Sequence, residues 1–422
     1  MPPCTAAPAA VLLLVLAPAS APAPVPARMA ATAATATTAA TAATAAAAAA
    51  AGSLSPQAEL GRRLFFEQRL SASGRLACAS CHDPANAYAA PANAGPVMRG
   101  GARLARWGLR TVPSLRYLDD TPRFTRHGYL DTGGDREDIG PAGGFMLDGR
   151  ADDLGRQALL PLLDPAEMAN RSVVELAARL RSLSYAAEFA HAFPAASGTV
   201  TGPGALAAMA AAALARYELE DPSFHPYSSR FDRYLRGQGR LSADELAGLA
   251  LFISPSKGNC AACHSVTTGP QGRPPDFTDH SFHALGVPRN ASIPANRDPG
   301  FFDLGLCGPL RVDLRGERGY CGYFKTPTLR NAARRRYFFH NGRFGSLREV
   351  LRFYVRRDLD PALWYPRTRG QVRKFDDLPA RLRVNVDTSD APLNREPGDA
   401  PALSDAEIAQ VISFLKTLDD AD

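Results

Sequence analysis

The chain has 422 residues, a formal net charge of +6, 45% hydrophobic residues and 21% charged ones. That balance leaves room for two domains, each with its own core, and excludes a protein disordered far beyond its first stretch of about fifty residues. The arginines are spread along the sequence with no basic helix and no aromatic-basic alternation, which argues against nucleic acid and fits a solvated basic surface or an acidic redox partner.

Residues 11–17 (VLLLVLA) form a short apolar run followed by the small residues Ala19, Ser20 and Ala21. This is the pattern of a secretory leader and is too short to cross a bilayer, so no transmembrane segment is expected. No Lys or Arg precedes the run, and Met29 is an alternative start. The expected division is a signal peptide over 1–27 and an Ala/Thr-rich flexible linker over 28–53.

Ser55 and Pro56 predict an N-cap and first-turn proline for a helix with Leu60, Leu64 and Phe65 on one side, closed by a turn at Ser73 and Gly74. A cysteine motif follows directly. The same order recurs downstream: a capping box of Ser242 and Glu245, an apolar stripe of Leu246, Leu249, Ala250 and Ile253, a break at Lys257 and Gly258, then a second cysteine motif. The chain thus reads as duplicated. Two more capping boxes, Ser172 with Glu175 and Ser404 with Glu407, open helices striped by Val173, Leu176 and Leu180 and by Ile408, Val411, Ile412 and Leu415.

Cys78-Ala79-Ser80-Cys81-His82 and Cys260-Ala261-Ala262-Cys263-His264 are both C-x-x-C-H. That spacing lets two thiols bond the vinyl carbons of a haem while the following imidazole reaches the iron. Zinc would require further Cys or His at comparable spacing, which neither motif has. Two covalently bound haem c groups are therefore expected. With no strand-rich segment in competition, the expected fold is all-α, with two cytochrome c-like haem domains and long irregular loops. The domains are placed at 54–236 and 237–422, since Gly237 and Gly239 precede the second capping box.

Cys4 lies in the leader. Cys307 and Cys321 read either as a disulfide, fitting an oxidising compartment, or as two free thiols. All six methionines lie at positions 1, 29, 98, 146, 168 and 209, so none follows the second haem motif. A sixth ligand there has to be His280, His283, His340, a tyrosine or water.

Longer stretches extend the pattern: LGRRLFFEQRLSASGRLACASCHDP from Leu60, GGFMLDGRADDLGRQALLPLLDPAEM from Gly143, GNCAACHSV from Gly258, and FKTPTLRN with FFHNGRFGSLREVLRFY between Phe324 and Tyr354. Over residues 55–418 they resemble the bacterial diheme cytochrome c peroxidases, and within them the MauG-like branch. The resemblance implies a periplasmic oxidoreductase acting with hydrogen peroxide, with a small cytochrome or copper protein as electron donor or a partner protein as substrate. His82 is then the proximal ligand of the peroxide-binding haem, Glu167 the acid-base group beside it, Gln157 the residue orienting Glu167, and Pro161 the residue keeping the sixth position open. A carboxyl fits the chemistry, because cleaving the O–O bond needs a proton moved from the inner oxygen to the departing one. Read from the residues alone, Glu167 in its Asp-Pro-Ala-Glu turn is equally a helix cap.

At the second haem the resemblance implies His264 as proximal ligand and Tyr354 as sixth ligand, where the family's peroxidases usually have Met. Without it, Tyr354 reads as a core aromatic beside Val350, Leu351 and Phe353. A tryptophan usually precedes the Asp-Gly-Arg as relay between the haems; Leu147 stands there, leaving Trp107 as a candidate. No histidine lies between His82 and His127, so an open first iron is expected, with Met98 and His127 as candidate occluding ligands. The family's calcium positions match Thr111, Arg335 and Tyr337, where an arginine beside the ion opposes its charge. The alternatives are a non-catalytic diheme electron-transfer cytochrome and a diheme dehydrogenase of another small molecule.

Overall fold

The computed structural model describes residues 53–131, 136–194, 202–269 and 272–421. The leader and nearly all of the expected linker lie outside these ranges. Nine α-helices organise the described residues: α1 Pro56–Phe65, α2 Leu154–Leu163, α3 Val173–Arg181, α4 Glu188–Ala192, α5 Pro203–Glu220, α6 Arg230–Leu235, α7 Ala243–Ile253, α8 Leu347–Arg356 and α9 Asp405–Lys416. Their starts follow the expected chemistry. Ser55 accepts from the Ala58 N–H at 3.2 Å ahead of Pro56. The Ser242/Glu245 and Ser404/Glu407 boxes close from both sides, satisfying amide groups that a helix start otherwise leaves orphaned.

One apolar core runs from Leu60 to Phe224 and is built by α1, α3 and α5. Another runs from Phe231 to Leu418 and is built around α7 and α9. In each, the helix ahead of the cysteine motif crosses a later helix through a glycine. A Cβ on Gly61 of α1 would stand 1.9 Å from the Ala213 carbonyl oxygen of α5; one on Gly248 of α7 would stand 2.0 Å from the Gln410 carbonyl oxygen of α9. Only glycine permits such an approach. This contact line also corrects the stripe expected for α7. Leu246 and Ile253 are 41% and 37% exposed, and the buried face carries Glu245, Gly248 and Phe252, because the crossing passes through the glycine rather than the leucines.

The structure is mostly helical and irregular, but it is not free of strands. Four short antiparallel pairs are present among the described residues: β1 Arg99–Gly100 with β2 Arg106–Trp107, β3 Thr125–Asp131 with β4 Arg136–Ala142, β5 Phe282–His283 with β6 Phe324–Lys325, and β7 Arg367–Thr368 with β8 Gln371–Val372. The β3–β4 hairpin alternates too little apolar character to have been legible as strand. Cys307 and Cys321 are joined in a disulfide. Among the described residues no helix is long and apolar enough to cross a membrane.

The two cores meet at Asp420, which is buried. Its carboxylate accepts from Arg116 Nη1 (3.1 Å) and the Tyr117 hydroxyl (2.7 Å) of the first half, and from Asn331 Nδ2 (2.6 Å) of the second.

Candidate haem sites

Both C-x-x-C-H motifs fold as a tight turn in which the histidine N–H donates to the first cysteine's carbonyl: His82 to Cys78 and His264 to Cys260, each at 2.8 Å. The rings are held the same way. His82 Nδ1 lies 3.0 Å from the Tyr88 carbonyl oxygen and His264 Nδ1 lies 3.0 Å from that of Phe277. Donating from Nδ1 fixes the tautomer that leaves the Nε2 lone pair free for a metal. Tyr88 and Phe277 both adopt φ of +55°, an uncommon value for an aromatic residue, and here it turns the carbonyl onto the ring.

Behind each ring stands a repeated tetrapeptide that the sequence reading passed over, Pro113-Ser114-Leu115-Arg116 and Pro327-Thr328-Leu329-Arg330. The Pro113 and Pro327 carbonyls also face the two imidazoles. Ser114 Oγ donates to the Ala87 carbonyl and Thr328 Oγ1 to that of Asp276, both at 2.6 Å. Each hydroxyl therefore anchors the residue just before the left-handed one. A search for an internal Pro-[Ser/Thr]-Leu-Arg repeat would have found this scaffold.

The second motif opens onto a large cavity walled by Cys260, Cys263, His264 and, from α8, Leu347, Val350, Leu351 and Tyr354. The thiols, the free imidazole nitrogen and the apolar walls fit a haem c. Burial pushes the Cys260 thiol up to about 12 and lowers the His264 imidazole, so the ring stays neutral. Tyr354 is raised by burial and drawn back by the Arg357 guanidinium, so its phenol stays protonated unless a metal ion takes the oxygen. Leu147 also lines this cavity, as do His283 and His340. His283 Nε2 is engaged with Ser281 Oγ at 2.7 Å, and the His340 ring stacks on Phe324 at 3.6 Å. His280 is not part of this lining.

At the first motif, burial pushes Cys78 and Cys81 up to about 12 and His82 down to about 4. Glu167 and Glu218 both act electrostatically on the Cys78 thiol. Glu167 ends the turn that follows α2, its N–H donating to the Asp164 carbonyl at 3.1 Å. The β1–β2 pair clamps this turn from outside: the Gly101 N–H donates to the Glu167 carbonyl at 2.7 Å, and a Cβ on Gly100 would lie 2.3 Å from the Ala166 carbonyl oxygen. The N-cap of α3 is Ser172, so Glu167 is not that helix's cap. Among the described residues its carboxyl makes no hydrogen bond. The residue is exposed at the surface, yet protein crowds its carboxyl, and that desolvation, reinforced by Asp164 and opposed by Arg150, raises it to about 7.

Gln157 of α2 is 6% exposed and its Oε1 has no partner. Glu218 of α5, also 6% exposed, has an unpartnered Oε2 and is pushed up to about 8 by burial. Nothing in the sequence reading singled out Glu218, whose only signal is one acid on the inner face of an Ala-rich helix. The remaining candidates fall elsewhere. His127 lies on the exposed β3–β4 hairpin, 2.8 Å from Asp138. Trp107 is 42% exposed and stacked by Arg99. Met98 is half-buried.

Thr111, Arg335 and Tyr337 do come together, around a small recess also lined by Asn86, Val112 and Arg336. They do not fit calcium, which takes six to eight oxygens including carboxylates. No acidic residue lines the recess and two arginines do.

Residues 55–240 match the family model of the di-haem cytochrome c peroxidases. The methylamine utilization protein MauG of Paracoccus denitrificans is 32% identical over 379 residues, covering 86% of this chain and 88% of the relative. The chain belongs to the di-haem cytochrome c peroxidase family. A cytochrome c551 peroxidase of Nitrosomonas europaea is 25% identical over 86% of this chain and 79% of its own. The crystal structure of the diheme peroxidase BthA from Burkholderia thailandensis superposes with a TM-score of 0.76 at 38% identity, covering 86% of each chain. As a member of this family the protein is an oxidoreductase with two haem cofactors.

Proposed function

We propose that this protein is a periplasmic diheme c-type cytochrome that reacts with hydrogen peroxide at the His82 site, in residues 54–236. Oxidising equivalents are then exchanged with the His264 site, in residues 237–422. The observation that carries this reading is Glu167, a carboxyl with no hydrogen-bond partner, raised to about 7, beside the Cys78 and Cys81 thiols. A haem at each motif supplies the redox chemistry when bound, attached through thioethers to Cys78 and Cys81 or to Cys260 and Cys263 and held at iron by His82 or His264.

The chain's own residues handle protons. Glu167, half-ionised near neutral pH, takes the proton from the inner oxygen of peroxide and returns it to the departing oxygen. Gln157 Oε1, an acceptor with no other partner, orients the protonated carboxyl. Two electrons and two protons convert one peroxide into two waters; the electrons come from a small redox protein or from a residue on a partner protein. Tyr354, with His264, would hold the iron of the second haem. One feature supports this role: it sits in the wall of the cavity that holds the second motif. Export is supported by the leader-like run at 11–17 and by the disulfide, which suits an oxidising compartment.

The test is a spectrum of the ferric holoprotein followed by mixing with peroxide. A high-spin component together with stoichiometric peroxide consumption is expected. Two purely low-spin haems with no consumption would make the protein an electron relay.

A further inference from the structure

Arginines enclosed in this fold are paired with acids. Arg110 meets Asp148 and Asp303 at 2.7 Å, Arg330 meets Asp232 at 2.8 Å, and Arg357 holds Asp358. Arg335 breaks the pattern. It is half-buried and lines both the large cavity of the second motif and the small recess at Thr111 and Tyr337. The one hydrogen bond of its guanidinium among the described residues is long, Nη2 to the Val112 carbonyl at 3.4 Å. Burial lowers it to about 10, and no acid acts against that shift.

Its position is at the junction of the two sites. Val112 precedes Pro113, whose carbonyl faces the His82 ring, and Asn86, across the recess, lies two residues before Tyr88, whose carbonyl anchors that ring. A charge enclosed in protein without a counterion is costly, and haem c brings two carboxylates into the cavity that Arg335 lines.

We propose that Arg335 is a positioning residue whose guanidinium pairs with a haem carboxylate at the second site and supplies, from the chain itself, the positive charge that a divalent metal would otherwise bring between the sites. The inference rests on the reading that both motifs carry haem. It explains why a recess without acids needs no ion, and it makes the charge permanent, since a guanidinium can neither dissociate nor be chelated.

The experiment uses resting holoprotein without peroxide, so its outcome is independent of the peroxide reaction; a haem count on each preparation checks that both haems are attached. Metal analysis of the wild type should find no stoichiometric calcium, and EGTA should leave both haem spectra and both midpoint potentials unchanged. Losing a fixed positive charge favours the ferric state. Arg335→Leu should therefore shift the second haem's equilibrium at least tenfold toward ferric, about 59 mV for one electron, and Arg335→Lys should restore most of it. One tightly held calcium per chain would overturn the proposal, as would Arg335→Leu with both potentials unchanged. If Arg335→Leu fails to retain haem, Arg335→Gln provides the same charge removal with a polar side chain, and unchanged potentials in it count equally against the proposal.

Discussion

The two halves hold the histidines of their C-x-x-C-H motifs by one device and surround them with different chemistry. Each has a helix crossing at a glycine, a C-x-x-C-H turn, an aromatic residue at φ +55° whose carbonyl fixes the ring, and a Pro-[Ser/Thr]-Leu-Arg support. Around the first site stand Glu167, Gln157 and Glu218, each with a side-chain polar atom that has no hydrogen-bond partner among the described residues. Around the second stand Tyr354 and a largely apolar wall, with Arg335, Lys325 and the carboxylates of Asp303, Asp377, Asp387 and Asp390 at its polar margin. The difference teaches that the duplicated scaffold serves attachment. What each site can do is decided by residues that lie outside the repeat.

The comparison can be broken most directly at Glu167. Glu167→Gln should leave both haems attached and slow O–O cleavage in stopped-flow mixing by a factor on the order of a hundred or more; an unchanged rate would remove Glu167 from the mechanism. The wild-type rate should also fall with pH. A group with its pKa at about 7 is progressively protonated below that value and loses its capacity as a base, so the rate should drop by about tenfold per unit well below it, and the variant should show no such dependence. On the other side, Tyr354→Met should raise the second haem's potential in a redox titration by on the order of 0.1 V, a fraction of the roughly 0.8 V that axial ligands span. No shift would return Tyr354 to the status of a packing residue.

The shared device can be probed by Gly61→Ala and Gly248→Ala. Each added Cβ would meet a carbonyl oxygen at about 2 Å, so each variant should lose about 1–3 kcal/mol in thermal unfolding. A large loss in one and none in the other would mean that the halves are not mechanically equivalent.

The smallest expected effect is at Glu218. Its carboxyl ionises near 4.5 when unfolded and at about 8 when folded, so folding takes up a proton between those values and stability falls as pH rises through that window. Glu218→Gln, which cannot ionise, should therefore melt higher than the wild type by a margin that grows from pH 5 to 8. A margin that shrinks over this range would contradict the burial of that carboxyl.

Much of this was legible because it is local. The Ser55 cap, the Ser242/Glu245 and Ser404/Glu407 boxes and the paired cysteine motifs are written within a few residues and appear where expected, whereas at Ser172 only half of the box forms, Glu175 accepting from the Arg171 N–H instead. Glu167 and Tyr354 were reached by resemblance, and the structure adds the clamped turn that carries the one and the cavity that the other lines. What was not legible depends on distant partners. The inner face of α7 could not be read from its leucines because α9 selects Gly248 as the contact. The left-handed Tyr88 and Phe277 carry no signal of their own, and the residues just before them, Ala87 and Asp276, are held by hydroxyls 27 and 52 residues away. Glu218 looks like any other helix acid until α5 is placed inside the core.

Asp420 bears on the order of assembly. Arg116, Tyr117 and Asn331 converge on a carboxylate that leaves the ribosome after Cys78, Cys260 and every helix are already made. Each half can collapse around its own cysteine turn early, but the clasp between them closes only with this late residue. Trimming the chain just ahead of it would remove this clasp and leave the halves held by contacts made earlier, such as Arg110 with Asp303 and Lys325 with the Gly144 carbonyl.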